Sequence, residues 1–433
     1  MNEEIKKRIG AIRNGMVPDG YVRTDYGVFP SHWRLAELSE IAHPLTETAG
    51  TRKIETVSIS SGVGFVNQAE KFGKELSGKQ YEKYIVLHRG DFSYNKGNSN
   101  LYPQGCIYRL NDREIAAVPN VFESFRIVNG DPDYYEQLFL SGFLNHQLFR
   151  KINHGVRDDG LLNLTDTDFY SCVLPVPPIE EQHRIAEILS ACDRMLALHQ
   201  ETLSEAKEMK KSLLNKMFPK DGACYPKLRF AGFTSAWEQR KLSDITSKIG
   251  SGKTPLGGNS AYVEDGICLI RSQNVYDNKV DLSDVVFIDE ETNSSMSNSR
   301  VVVGDVLLNI TGASLGRSAV YTESKSANVN QHVCIIRPVE GYESAFIQLN
   351  IASTDGQKQI DASQAGGGRE GLNFQQIGKI EFMFPKIDEQ KKVGEYLSNF
   401  DNLINLHRRE IELQQNKKKA LMQLLLTGVV PIS

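Results

Sequence analysis

Two stretches of the chain, about Glu180 to Phe218 and about Asp388 to Thr427, hold no Pro and carry apolar residues at a mean spacing of 3.5, the period of a coiled-coil seam. The first stripe reads Ile185, Leu189, Cys192, Leu196, His199, Leu203, Ala206, Lys210, Leu213, Met217; the second reads Val393, Leu397, Phe400, Ile404, His407, Ile411, Gln414, Lys418, Leu421, Leu425. Helices of this length would each run about 60 Å at 1.5 Å per residue, too far to be hidden inside one domain. A His and a Lys recur at equivalent places in both stripes. Polar seam residues of this kind specify register, and the two lysines are expected to carry their ammonium groups to the seam edge.

Before each helical stretch lies a half rich in Gly, Asn and Val. Its strand candidates are Tyr84 to His88, Gly105 to Leu110, Phe122 to Val128, Val301 to Val303, Val306 to Ile310 and His332 to Arg337, short β-branched and aromatic runs bounded by turn residues.

The plan occurs twice. Trp33-x4-Leu38-Ser39-Glu40-Ile41 returns as Trp237-x4-Leu242-Ser243-Asp244-Ile245, Gly90-Asp91 as Gly304-Asp305, and the loop from Arg157 as the loop from Arg369. Pro177-Pro178-Ile179-Glu180-Glu181-Gln182 returns as Pro385-Lys386-Ile387-Asp388-Glu389-Gln390, an offset of 208 that holds through His199 and His407. A period this long means two copies of one domain rather than a solenoid. The tail Lys417-Lys418-Lys419…Thr427-Gly428-Val429-Val430-Pro431 also resembles the head Lys6-Lys7-Arg8…Asn14-Gly15-Met16-Val17-Pro18, so the repeat is expected to close on itself. The predicted fold class is α/β (α+β) in two copies, separated by two long antiparallel coiled-coil helices in a pseudo-two-fold circular arrangement.

Composition narrows the picture. With 433 residues, 40% hydrophobic and 24% charged, the chain reads as two globular units with connecting elements. The charged start, Met1 to Gly10, lacks a signal-peptide pattern, no apolar run suits a membrane, and six Cys without a C-x-x-C pair point to a reducing cytoplasm with neither a zinc site nor disulfides. The net charge of −4, and 15 Lys and Arg against 18 Asp and Glu between Pro226 and Pro385, give no overall basic footprint. Any surface for nucleic acid must be a segregated patch.

The Trp-x4-Leu-x-acid-Ile opening of each domain, the Pro-x-Ile-x-Glu-Gln opening of each helix, and Gly304-DVLLNITGASLGRSAVY-Thr322 followed by Ala327-NVNQHVCIIRP together resemble the specificity subunit of type I restriction–modification systems, from about Phe29 to Gly428. Copy one departs from the pattern with Gly90-DFSYNKGNSN in place of GDVLLNITGAS. The resemblance implies a segment 1–25 completing the circular repeat, a target-recognition domain at 26–178, a spacer helix at 179–219, a second target-recognition domain at 220–386, a second helix at 387–428 and a tail at 429–433. It further implies that each domain reads one half of a bipartite double-stranded DNA site, and that the helices set the spacing and dock two methyltransferase subunits, with a restriction–translocase subunit joining them. No cofactor is expected on this chain: S-adenosylmethionine belongs to the methyltransferase, and ATP and Mg to the restriction subunit. The two copies differ, so the target should be asymmetric. Two reading heads on a stiff spacer also match DNA segments roughly 34 Å apart.

Base reading needs Arg, Lys, Asn or Gln on loops that enter a groove. The candidates are Asn95, Lys96, Asn98, Asn100 and Arg157 in copy one, and Arg271, Gln273, Asn274, Arg317 and Arg369 in copy two, with Leu189, Leu196, His199, Leu203, Leu397, Ile404, His407 and Ile411 assigned to the helix seam. Asn330-Gln331-His332 reads as a buried polar network, and Trp33 and Trp237 as core anchors. His199 and His407 have no further ligand at metal spacing.

Catalytic signatures are missing. Gly250-Ser251-Gly252-Lys253-Thr254 fails the P-loop pattern because Ser247 stands where Gly is required. No Asn-Pro-Pro-aromatic tetrapeptide of adenine methyltransferases occurs. The competing readings are a coiled-coil scaffold that never touches DNA, favoured by the acidic net charge, and a metal-dependent nuclease within the Gly-rich halves.

Overall fold

A computed structural model describes residues 3–72, 78–97, 102–152, 162–220, 222–276, 278–364 and 371–432. The chain folds as two compact units, Met1–Leu198 with Glu410–Ser433, and His199–Arg409, so the division falls within both long helices.

In the first unit, among the described residues, a four-stranded antiparallel sheet has the order Ala42–Pro44, Glu123–Ile127, Phe92–Asn95, Cys106–Arg109. Alternate positions of these strands point into an aromatic core, where Phe92 stacks on Phe125 at 5.5 Å and Tyr94 on Phe169 at 4.9 Å. Burying each such ring contributes about 1.5–3 kcal/mol. The strand after Trp33, Arg34–Glu37, pairs antiparallel with the last strand of the domain, Val173–Val176.

The second unit repeats this frame. Its sheet runs Thr246–Ser251, Val333–Pro338, Val306–Asn309, Ser318–Val320, and Glu238–Lys241 pairs with Glu381–Phe384. It adds a further sheet in which Ile267–Ile270 lies between Val286–Ile288 and Ala327–Val329, parallel to the latter. Both tryptophans are buried core residues, as the sequence predicts.

The recurring Gly-Asp dipeptides have a physical reason. Gly90 and Gly304 take φ of 96° and 91°, a left-handed turn that costs Gly little. The turn drops Asp91 and Asp305 beneath the sheet, where they are 1% and 0% exposed. Arg126 meets Asp91 through two hydrogen bonds of 2.6 and 2.9 Å, and Arg337 meets Asp305 at 2.7 and 2.8 Å. Each aspartate also accepts a backbone N–H, from His88 at 2.7 Å and from Val302 at 2.8 Å. A bidentate pair with added donors is the arrangement that tolerates a buried charge.

The long helices span Ile179–Met217 and Ile387–Leu425, 39 residues each. Their Glu-Gln openings are structural. Gln182 Oε1 accepts from Asp131 N at 2.8 Å while its Nε2 donates to Pro177 O at 2.8 Å; Gln390 repeats this with Glu343 N at 3.0 Å and Pro385 O at 2.8 Å. Each glutamine thereby satisfies backbone groups at a helix start. Gly394 lies inside the second helix, and a Cβ there would stand 3.2 Å from Ala345 Cβ, so its lack of a side chain permits a close approach to helix Ser344–Ala352.

Within the second unit His199 Nδ1 lies 3.1 Å from His407 Nδ1, and Lys210 Nζ lies 2.6 and 2.7 Å from the Asp401 carboxylate oxygens. Moving forward along one helix means moving back along the other, so the helices are antiparallel. Within the first unit Lys418 Nζ meets Asp193 Oδ1 at 2.6 Å, the same contact after an exchange of 208 positions. Lys210 is buried. The lysines therefore turn toward a partner carboxylate instead of out to the seam edge, because the pairing register places Asp401 and Asp193 within reach. Leu189, Leu397 and Ile404 are buried, while Leu196, His199, Leu203, His407 and Ile411 are half-buried.

The head and tail of the chain meet in the first unit. Arg8 Nη1 donates to Val429 O at 2.8 Å and Tyr21 Oη to Gly428 O at 2.7 Å, while Leu425 and Leu426 join the core that holds Trp33. In the second unit Met217 and Phe218 pack with Trp237 in the same manner.

Candidate nucleic-acid interface

Four turns converge at one end of the central sheet of the second unit. Strand Val306–Asn309 ends in Asn309, whose N–H donates to Arg317 O at 2.9 Å and whose buried Nδ2 donates to Ser272 O at 2.8 Å. This ties the turn carrying Arg317 to the turn carrying Arg271, Gln273 and Asn274. Gly252 N donates to Asn330 O, Asn330 N to Ile270 O and Ile310 N to His332 O, which brings Lys253, Thr254, Gln331 and His332 to the same end. Thr311 bridges to Gly371, and Leu372 N donates to Ile310 O at 2.9 Å, so the chain beyond Arg369 returns here as well.

The candidates at this end differ in freedom. Arg317 is exposed and makes no side-chain hydrogen bond or ion pair among the described residues; exposed Lys253 is the same. Arg271 donates to Asp284 O at 3.1 Å, and Gln273 donates to Asp284 Oδ2 at 2.8 Å. Asn274 is buried, its amide donating to Asp281 O and Asp284 O and accepting from Arg271 N. It shapes the turn that presents Gln273. Arg369 lies outside the described residues.

Asn330-Gln331-His332 departs from the expected buried network. Strand Val333–Pro338 begins after it, leaving the three residues in a surface turn with Gln331 exposed. Thr254 Oγ1 donates to Gln331 Oε1 at 2.7 Å, Gln331 Nε2 lies 3.0 Å from His332 Nε2, and His332 Nδ1 lies 2.6 Å from Thr311 Oγ1. This chain of paired polar groups crosses the sheet end. The signal for it in the sequence was three consecutive polar residues interrupting the period-2 alternation of a strand.

The first unit places its candidates at the equivalent end. Asn95 closes strand Phe92–Asn95, as Asn309 closes its counterpart, and accepts from Gly97 N at 2.8 Å. Leu162 N donates to Lys96 O at 2.8 Å, the counterpart of Leu372 to Ile310, so the chain beyond Arg157 is anchored at the same place. Lys96 is held inward: its Nζ lies 2.9 Å from Asp166 Oδ1 and 3.7 Å from Glu123 Oε2, and Tyr170 Oη donates to Glu123 Oε1 at 2.9 Å. Burial, then the neighbouring Asp166 carboxyl, pushes Glu123 up to about 7, whereas the Lys96 hydrogen bond lowers Asp166. Glu123 therefore holds its proton to higher pH than Asp166. Asn98, Asn100 and Arg157 lie outside the described residues.

Two α+β units of one design, the second gathering loop-borne Arg, Gln, Asn and Lys at one sheet end and the first placing Asn95 and Lys96 at the equivalent end, define a duplicated recognition protein. The chain matches the family described as "Type I restriction modification DNA specificity domain" over residues 121–208 and 234–415, well over half its length, and it belongs to that family as a specificity subunit. It is 26% identical over 281 residues to the type I restriction enzyme MjaVIII specificity subunit of Methanocaldococcus jannaschii, a match covering 63% of this chain and 65% of that protein. To the putative MjaX specificity subunit of the same organism it is 23% identical over 442 residues, covering 96% and 97%. The solved type I restriction–modification S subunit from M. genitalium shares its fold at 14% identity with a TM-score of 0.60, covering 93% of this chain and 96% of that one. No described helix is long and apolar enough to cross a membrane, and no cluster of three or more metal-ligating side chains occurs among the described residues.

Proposed function

We propose that each unit reads one half of an asymmetric, bipartite double-stranded DNA target through its loop-bearing sheet end, and that the chain supplies specificity without chemistry of its own. The observation that carries this reading is that the segments bearing the candidates are anchored at equivalent sheet ends in both units, at Asn95 and Lys96 in the first and at Asn309 and Ile310 in the second. In the second unit that end offers two exposed cations unpaired among the described residues, Lys253 for phosphates and Arg317 for base edges, beside amide groups also suited to base edges. The long helices dock two methyltransferase subunits, which bring S-adenosylmethionine, and through them the restriction–translocase subunit with ATP and Mg. Their length sets the spacer between half-sites.

Footprinting of the purified chain with its methyltransferase subunit on a random-sequence DNA library tests this. The reading expects selection of two short fixed blocks separated by an unspecified spacer, with binding far weaker for the chain alone. Selection of no sequence by the assembled complex would refute it.

A further inference from the structure

The second unit holds a cavity of about 490 Å³ between the second half of the first long helix, the middle of the second, and the recognition domain. Its charged lining consists of Lys207, Lys210, Lys211, Arg408 and Asp401. Lys210 and Asp401 neutralise one another, leaving three cations facing a concave space. Lys207 and Lys211 make no ion pair among the described residues, and Arg408, which donates to Asn405 Oδ1 at 3.4 Å, lies near enough to Asp401 to favour its charged form. Four cations lining the cavity against one carboxylate are conspicuous in a chain of net charge −4, since packing alone gives no reason to hold like charges around one hollow.

The fold does not require this charge. An offset of 208 relates the helices throughout, and at the equivalent positions Lys207 becomes Gln415 and Arg408 becomes Gln200, while Lys211 keeps a lysine, Lys419. The cavity also continues toward the interface. Its wall includes Gly316, the residue before exposed Arg317, and Gln357 Nε2 fixes Gly316 O at 3.1 Å.

We propose that this cavity binds a backbone phosphate of the DNA that the second unit reads, with Lys207, Lys211 and Arg408 as its cations, giving one half-site a phosphate clamp that the other lacks. The inference rests on the DNA-reading function proposed above. A phosphodiester suits the site because its charge is fixed, it fits the volume with its flanking sugars, and compact ammonium groups hold it as point charges.

The test is the double variant Lys207→Gln/Arg408→Gln, which installs the residues of the other copy at exposed positions and keeps the Lys210–Asp401 pair. Binding of the methyltransferase-assembled complex to its target is measured across a salt series. The proposal expects an affinity loss of about tenfold that is equal for matched and mismatched sequences, and a salt-dependence slope shallower by about one per phosphate contact removed. An unchanged slope in an assembled complex overturns it. Titration of the purified chain with inorganic phosphate and pyrophosphate separates the sources: anion binding that the variant abolishes while the slope stays unchanged assigns the cavity to a free anion and overturns the DNA assignment. A wild-type complex with no preferred sequence defeats the underlying reading, which no result from the variant alone can do.

Discussion

Lys210 of the first long helix is salt-bridged to Asp401 of the second, and 208 positions away the partners change places: Lys418 of the second helix meets Asp193 of the first. Each helix contributes one lysine and one aspartate, the reciprocity expected of an antiparallel pair built from a duplicated sequence. Burial raises Asp401 against the lowering effect of Lys210, so the carboxylate depends on that partner for its charge.

Removing one member should therefore cost more than removing both. Lys210→Ala is expected to destabilise the second unit by about 3–5 kcal/mol, whereas Lys210→Met/Asp401→Leu should be near neutral, because breaking a buried pair strands a charge while replacing it does not. Urea unfolding of the two variants checks this, and equal losses would contradict it.

The Glu123 group makes stability depend on pH. Its pKa rises from an ordinary carboxyl value to about 7 on folding, so the folded state holds the proton more tightly than the unfolded chain. The contribution is complete below the ordinary value near 4.5 and is lost as pH climbs through about 7. Wild type should lose urea resistance relative to Glu123→Gln between pH 4.5 and 7.5, and a difference that stays constant over this range would argue against the assignment.

Arg317, like Lys253, is exposed and unpaired among the described residues at the second unit's sheet end. Arg317→Ala should weaken binding by about 1–3 kcal/mol and, as a base contact, relax sequence preference in one half-site only. Binding to a panel of single-base target variants distinguishes the outcomes; equal relaxation in both halves would remove Arg317 from the second head.

Inserting seven residues, two turns, into either long helix should change the length of the unspecified spacer and leave both half-site sequences intact. Selection from a random-spacer library measures it, and an unchanged spacer would end the ruler account.

Much of this was legible in the chain because its signals are local or periodic. The 3.5 spacing marked helices that the structure begins and ends within two residues of expectation, and the Gly-Asp landmarks marked equivalent turns. What escaped depends on register and on contacts distant in sequence. Arg126 and Arg337 give no sign that they hold Asp91 and Asp305, and Asp193 and Asp401 lie off the apolar stripe, so the seam lysines read as solvent-seeking. Lys96 looked like an available cation until Asp166, 70 residues on, closed over it. The parallel pairing of Ile267–Ile270 with Ala327–Val329 is likewise non-local, and nothing in either segment alone reports it.

In the proposed function this chain decides which DNA sequence is modified. Mapping methylated adenines genome-wide, in cells carrying the cognate methyltransferase with and without this chain, tests it most directly. The expected result is an asymmetric bipartite motif, methylated only when the chain is present; an identical pattern of methylation in both strains would overturn the proposed function.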